Sequence, residues 1–266
     1  MKIWVNTIVN NEENFLWFSV MSVVDFVDKI LIWDSGSTDN SVEIIKKLKE
    51  LKGDKIEFKQ VGRVSGLEFT KMRQKMLDQS KSDWIIILDG DEIWWQASIK
   101  KIISEIIKRG RQVEGIVVPM VVPVGDIYHI QDERAGRYNI LGKKGHFSLK
   151  AFSKAIPGLH ADWPYGKEGF FDKDNRLIQE REKIVFLNAP FLHLTHLKRS
   201  NSKRLYNKFK YELGRLVPEG FKFPEILYRE FPEMISSPWK KISGIDYIKA
   251  IIQTPLRWIK RRIYYR

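Results

Sequence analysis

The chain contains no cysteine. Disulfides, thiolate metal sites and a cysteine nucleophile are thereby excluded, so a bound metal must be held by Asp, Glu, His or water. Long apolar runs are also missing: none reaches the ~18 residues expected of a spanning helix. Met1 to Val9 is a short apolar stretch leading straight into Asn10-Asn11-Glu12-Glu13-Asn14. A secretory signal needs a longer apolar core and a small-residue cleavage site. The expected location is the cytoplasm, peripheral on the cytoplasmic face of a membrane. Neither the dinucleotide-binding G-x-G-x-x-G nor the phosphate-binding G-x-x-x-x-G-K-[ST] is present. Zinc-finger spacing and RNA-recognition signatures are absent too, and nucleic acid is not an expected partner. There is no internal repeat and no low-complexity segment.

What is present suits one large α/β domain, or one domain with a short appendage. The 266 residues are 43% hydrophobic and 12% aromatic, enough to bury a sizeable core. Acidic residues are outnumbered, 33 against 46, which gives a net charge of +13. Such a balance points to a polyanionic partner. The excess is concentrated at the C-terminal end. From Ser236 to Arg266 eight basic residues (Lys240, Lys241, Lys249, Arg257, Lys260, Arg261, Arg262, Arg266) meet one acid, Asp246.

The first third alternates strand-like and helix-like pieces. Apolar runs at Lys2–Val9, Lys29–Trp33, Lys55–Val61 and Trp84–Leu88 read as strands. Glu13–Val27, Ser41–Leu51 and Phe69–Gln79 read as helices, the second from Val42, Ile45, Leu48 and Leu51 at three-residue steps. This order predicts a parallel sheet covered by helices. Right-handed crossovers bring the loops after the strands to one edge, where ligands of open α/β sheets bind. Asp34 and Asp89 each follow a strand directly, so they are expected to share one crevice. Further on, Ala97–Arg109 reads as a helix and Glu114–Val124 as a strand pair broken by Pro119 and Pro123. Asp126–Lys144 reads as a polar, mobile loop, His146–Ser153 and Ile184–His196 as strands, and Ser202–Leu216 as a helix. Pro218–Pro238 reads as a linker.

Two segments carry chemistry. Trp84 to Glu92 reads Trp-Ile-Ile-Ile-Leu-Asp-Gly-Asp-Glu. A buried strand here delivers Asp89 and Asp91 onto a turn, with Gly90 letting both carboxylates face one ion. Hard oxygen ligands suit Mn²⁺ or Mg²⁺, which keep positions open for diphosphate oxygens. An isolated D-x-D is equally a solvated turn. The second segment, Asp34-Ser35-Gly36-Ser37-Thr38-Asp39-Asn40, ends a strand, turns, and caps the next helix through Asp39 or Asn40. Taken alone it is ordinary turn chemistry.

Together with Asn11-Glu12-Glu13 these segments resemble the family 2 glycosyltransferases. The three match that family's "N-E-E", "D-x-G-S-T-D" and "D-x-D" in order and at the expected distances across residues 1 to 95. Ser35 and Glu92 look like the branch near the lipopolysaccharide-core glucosyltransferases. The resemblance implies a GT-A fold: α/β, with a mixed, mainly parallel central sheet flanked by helices, here with a C-terminal helical tail. It implies inverting, metal-assisted transfer from a UDP-, GDP- or dTDP-sugar to a glycan or lipid-linked acceptor. Carried over by position, Asn11 and Glu13 lie near the nucleotide, with Ser35 and Gly90 beside them. Asp34 binds base or ribose, and Asp89 and Asp91 face metal and donor. Thr70 and Arg73 stand where the family often has "A-R-N", so Arg73 pairs with phosphate, although Lys71-Met72-Arg73-Gln74 departs from that motif. Residues 1–216 form the expected catalytic domain, with a donor half (1–95) and an acceptor half (96–216). Residues 217–266 are the expected linker and basic amphipathic helices.

Inverting transfer requires a carboxylate at the acceptor hydroxyl. The cluster His160-Ala161-Asp162-Trp163-Pro164-Tyr165-Gly166-Lys167-Glu168 supplies Asp162 as the expected base and Glu168 as the second choice. Related enzymes often carry His-Glu in this part of the chain; here the acid is displaced to Asp162. His193 and His196, three apart on a strand, point to opposite faces. His196 is the expected extra metal ligand. Lys198, Arg199, Lys203 and Arg204 are candidates for a path taken by a phosphorylated acceptor. In the tail, Ile245, Ile248, Ile252, Leu256, Ile259 and Ile263 recur at helical spacing, with a kink expected at Pro255. Trp258, Tyr264 and Tyr265 suit a headgroup boundary, and an anionic membrane surface is the expected partner. Two competing readings are a haloacid-dehalogenase-like phosphatase using Asp89 and Asp91, and a catalytically degenerate binding protein.

Overall fold

The computed structural model describes residues 1–201 and 209–264. Four apolar stretches form the first strands: β1 (Ile3–Val9), β2 (Lys29–Asp34), β3 (Ile56–Gln60) and β4 (Trp84–Ile87). Short β5 (Glu92–Trp94) follows at once. Next come β6 (Gly115–Val121), β7 (Pro123–Val124), β8 (Asp126–Ile130), β9 (Tyr138–Ile140), β10 (Lys143–Gly145) and β11 (Phe147–Ser153). The chain continues through β12 (His160–Asp162), β13 (Gly169–Phe171), β14 (Ile184–Phe186), β15 (Phe191–His193) and β16 (Arg215–Leu216). The helices are α1 (Leu16–Val23), α2 (Ser41–Lys52), α3 (Gly66–Gln79), α4 (Gln96–Arg109) and α5 (Gly244–Tyr264).

The central sheet has nine strands, in the order β3-β2-β1-β4-β11-β6-β15-β5, with β14 alongside β6. β1, β2, β3 and β4 are mutually parallel, and β14 and β15 run parallel to β6. β11 is antiparallel to both β4 and β6, and β15 to β5. The sheet is therefore mixed and mainly parallel, as expected. Its register sets Val9 beside Asp34 and Asn6 beside Ile87, so the carboxyl ends of β1, β2 and β4 reach one edge.

Local sequence explains the helices. α1 is apolar on nearly all sides and lies buried, with Leu16, Trp17, Phe18, Val20 and Val23 in the core. It is shorter than expected and passes into a 3₁₀ turn at Val24–Phe26. α2 buries Ile44, Ile45 and Leu48, while Leu51 points outward. α3 begins three residues before Phe69, because Ser65 and Glu68 form a reciprocal capping box. In α4 the buried stripe is Ile99, Ile102 and Ile106.

Five expectations are corrected. Asp126–Lys144 is not a mobile loop: it holds β8, β9, β10 and a 3₁₀ turn, and β8 pairs with β7 and β16. β6 runs through Pro119. Pro218–Pro238 is no free linker, since Phe223, Ile226, Leu227 and Ile235 are buried in the main core. The helix expected over Ser202–Leu216 does not extend over 209–216, which is irregular before β16; residues 202–208, with Lys203 and Arg204, lie outside the described residues. Tyr265 and Arg266 lie outside them too. At the C-terminal end, one helix runs unbroken through Pro255.

Candidate active site

The sheet edge gathers three loops. The first follows β1. Asn11 sits at φ 57°, a left-handed conformation that Asn tolerates better than most residues. From there its Oδ1 accepts the Thr38 N–H at 2.7 Å, and its own N–H donates to Ser37 Oγ at 2.9 Å. Asn11 is thus a clasp on the second loop. Asp34 accepts the N–H groups of Gly36 and Ser37 at 3.0 and 3.2 Å. The Ser35 hydroxyl donates to Val9 O at 3.0 Å, binding strand end to strand end. Asp39, rather than Asn40, caps α2 by accepting the Ser41 N–H. Glu13 accepts from Asn40 N–H at 3.2 Å and from Asn201 N–H at 2.7 Å, joining the first two loops to the segment after β15. In this geometry Asn11, Glu13, Asp34 and Ser35 all serve to shape the crevice.

The third loop carries the two aspartates. Asp91 is 2% exposed. Its Oδ1 lies 3.6 Å from His193 Nε2 and its Oδ2 lies 3.5 Å from Arg199 Nη1. Among the described residues Oδ2 has no hydrogen-bond partner, and neither has Oε2 of the adjacent buried Glu12. Unpartnered buried carboxylate oxygens are costly unless a cation completes them. Asp89, Asp91 and His193 each offer one ligand atom, all within 4.8 Å of one another. Two hard oxygens and an imidazole fit a divalent cation such as Mn²⁺ or Mg²⁺. His193, not His196, joins the aspartates. Antiparallel pairing of β15 with β5 sets His193 opposite Glu92, next to the turn. The strand ends there, and His196 Nε2 meets Lys210 Nζ at 2.7 Å.

A second tier holds this turn. Arg199 Nη1 reaches Glu12 Oε1 at 2.5 Å. Burial, followed by the charge of Asp91, pushes the Glu12 carboxyl well above its ordinary value, with Arg199 opposing. Beneath lies a buried ion pair, Lys150 Nζ to Glu92 at 2.5 and 2.7 Å. Glu92 also accepts the Asp89 N–H at 3.1 Å. Burial pushes Glu92 upward against the pull of Lys150. Burial alone would lower Lys150, but Glu92 and then Asp89 hold it raised.

Gly90 has a specific reason. A Cβ there would lie 2.7 Å from Glu12 Cγ and 2.9 Å from Glu12 Cβ. Gly90→Ala must therefore push Glu12 off the turn and away from Arg199. The expected loss is about 1–3 kcal/mol of stability, measured by urea denaturation, together with weaker metal binding measured by calorimetry.

Arg73 stands on α3 with Nη2 3.9 Å from Asp89 Oδ1, while Phe69 lies beneath its guanidinium. The same helix carries the β12–β13 hairpin. Thr70 Oγ1 donates to Trp163 O, and Tyr165 packs edge-on against Phe69 at 4.9 Å. The carboxylates of Asp162 and Glu168 are bonded locally, to the N–H groups of Trp163 and Gly166. Trp163 holds φ 68°, unusual for a bulky side chain, and remains 48% exposed.

The profile of glycosyl transferase family 2 matches residues 5–160, more than half of the chain. The chain belongs to that family. Its sheet and helices are those of the GT-A type. Solved structures with a similar fold include S. aureus TarS 1–349, with TM-score 0.48 and 15% identity over 73% of this chain and 61% of that one. Another is glucosyl-3-phosphoglycerate synthase from Mycobacterium tuberculosis with Mn²⁺, uridine diphosphate and glucosyl-3-phosphoglycerate, with TM-score 0.44 and 18% identity over 72% and 71%. A third is GalNAc-T7 with UDP, GalNAc and Mn²⁺, with TM-score 0.49 and 15% identity over 77% and 45%. The chain thus spans about 61% of the TarS 1–349 structure. No curated protein sequence matches it.

Sequence reasoning gave Glu12 and Lys150 no role in this site, set His193 aside for His196, and placed Arg199 on an acceptor path. Glu12 was in plain view, between two residues assigned to the nucleotide. Lys150 had a signal, a lone cation inside an apolar strand. His193 and Arg199 follow residue 160, where the family match ends. Only strand pairing brings them to the aspartates.

Proposed function

We propose that this family 2 member transfers a sugar, with inversion, from a nucleotide-sugar donor to a glycan or lipid-linked acceptor. The observation that carries this reading is the Asp89–Asp91–His193 group, in which the buried Oδ2 of Asp91 accepts no hydrogen bond among the described residues. Those three residues would hold Mn²⁺ or Mg²⁺, which when bound offsets the charge building on the departing nucleoside diphosphate. Arg73, facing Asp89, supplies a guanidinium for the same diphosphate. The crevice shaped by Asn11, Glu13, Asp34, Ser35 and Gly90 takes the nucleotide.

On the acceptor side, Asp162 is assigned as the base and Glu168 as its alternative. Asp162 takes the proton as the acceptor oxygen bonds to the anomeric carbon and the diphosphate leaves. The exposed rings of Trp163 and Tyr165 beside it offer apolar faces to a sugar. The family match leaves the phosphatase reading without support.

The test is a thermal-shift series with UDP-, GDP- and dTDP-sugars, each with and without Mn²⁺. One nucleotide class is expected to raise the melting temperature only when metal is present. No metal-dependent shift with any of them would overturn the reading. Asp162→Asn is expected to keep that shift and lower transfer by about 10²–10⁴-fold, followed by product release from a labelled donor. Normal turnover in Asp162→Asn would pass the role to Glu168.

A further inference from the structure

We propose that the outer face of α5 is a docking surface for an anionic lipid bilayer, with the helix lying in the plane of the interface. α5 is fixed to the protein by one side. Ala250 and Thr254 are buried there, and Thr254 Oγ1 accepts the Leu213 N–H at 2.8 Å. Arg261 makes a two-pronged pair with buried Glu212 at 2.6 and 2.8 Å. Arg257 donates to Tyr211 O at 3.3 Å.

The opposite side is apolar. At roughly 100° per residue, Ile245, Ile248, Ile252, Leu256, Ile259 and Ile263 fall within a sector of about 80°, centred opposite Thr254. Each is 56–70% exposed. A helix docked only to complete a core would turn these residues inward. Here the polar and small residues make the dock, and the aliphatic stripe faces away.

Charge decides between occupants. Lys249 and Lys260 border one side of the stripe and Arg262 the other, and all three are exposed. Lys240 and Lys241 add two exposed cations just before the helix. Two copies meeting stripe to stripe would bring these cations together. Anionic headgroups neutralise them while the aliphatic side chains enter the acyl boundary. No helix among the described residues is long and apolar enough to cross a membrane, so the attachment is to one leaflet.

The test uses the full chain without nucleotide, so its outcome is separate from that of the donor-site reading. Cosedimentation is measured with phosphatidylcholine vesicles, with and without phosphatidylglycerol, and oligomeric state by sedimentation velocity. The wild type is expected to be monomeric and to partition at least about ten-fold more strongly onto the anionic vesicles. Ile252→Asp with Ile259→Asp is expected to lose about ten-fold or more of that binding. Lys241→Glu, Lys260→Glu and Arg262→Glu together are expected to remove the preference for anionic lipid. All these positions face outward, so melting temperatures are expected to stay unchanged, which separates lost docking from lost folding. Absence of anionic-vesicle binding, or equal binding by the double aspartate variant, would overturn the proposal. A dimer that dissociates in that variant without binding lipid would assign the face to a second copy instead.

Discussion

Asp91→Ala is expected to remain folded while losing metal-dependent donor binding, with transfer reduced on the order of 10³-fold or more. Asp91 is the aspartate that the fold encloses. At 2% exposure, flanked by His193 at 3.6 Å and Arg199 at 3.5 Å, it holds one oxygen that accepts no hydrogen bond among the described residues. Stability is expected to change little, because this carboxylate also crowds Glu12 and its charge helps raise the Glu12 pKa. The check pairs a thermal melt with Mn²⁺ titration by calorimetry. Asp91→Asn, nearly isosteric, controls for shape. If either variant kept the wild-type Mn²⁺ affinity and metal-dependent nucleotide-sugar shift, the cation site would have to be placed elsewhere.

Lys150→Met is expected to be among the most destabilising single changes in the chain, costing about 3–5 kcal/mol near neutral pH. Lys150 and Glu92 are 3% and 1% exposed, and no water can replace the lost ammonium cheaply. The sign of the pH dependence follows from Glu92. Burial raises its carboxyl above the ordinary 4.5, and the charge of Lys150 is the largest influence opposing that rise. Without that cation the native state keeps a proton that the unfolded chain has released. Stability of the variant therefore falls as pH rises above that ordinary value, and the deficit shrinks toward pH ~5. Urea denaturation across pH measures this. Glu92→Gln combined with Lys150→Met is expected to recover most of the loss, since no buried charge remains. Both single variants are also expected to weaken donor binding, because Glu92 accepts the Asp89 N–H. A flat pH profile, or no recovery in the double variant, would show that Glu92 is not charged against Lys150.

The donor half was legible because its signals are local. Apolar runs broken by Asp34 and Asp89 mark strand ends, and a parallel order follows from alternating strand and helix. Chain connectivity then puts both aspartates at one edge. Asn11, Gly36 and Gly90 occupy turns that the residue types announce. The acceptor half was less legible. Many of its strands are only two to five residues long, so hydropathy had little period to display, and β6, β11 and β15 pair with partners distant in the chain. Asp126–Lys144 looked like a loop because its strands are polar and short.

The sequence by itself determined the parallel frame of the sheet, the placement of the D-x-D turn and the amphipathic character of the C-terminal helix. These depend on neighbours within a few residues. Tertiary structure decided which histidine joins the aspartates, that Arg199 and Glu12 close over Asp91, and that Lys150 sits under the turn. It also decided which face of α5 is left outward. Each of those is a contact between residues from 41 to 187 positions apart or a choice of docking face. Strand register and burial fix such choices, and no local pattern encodes them.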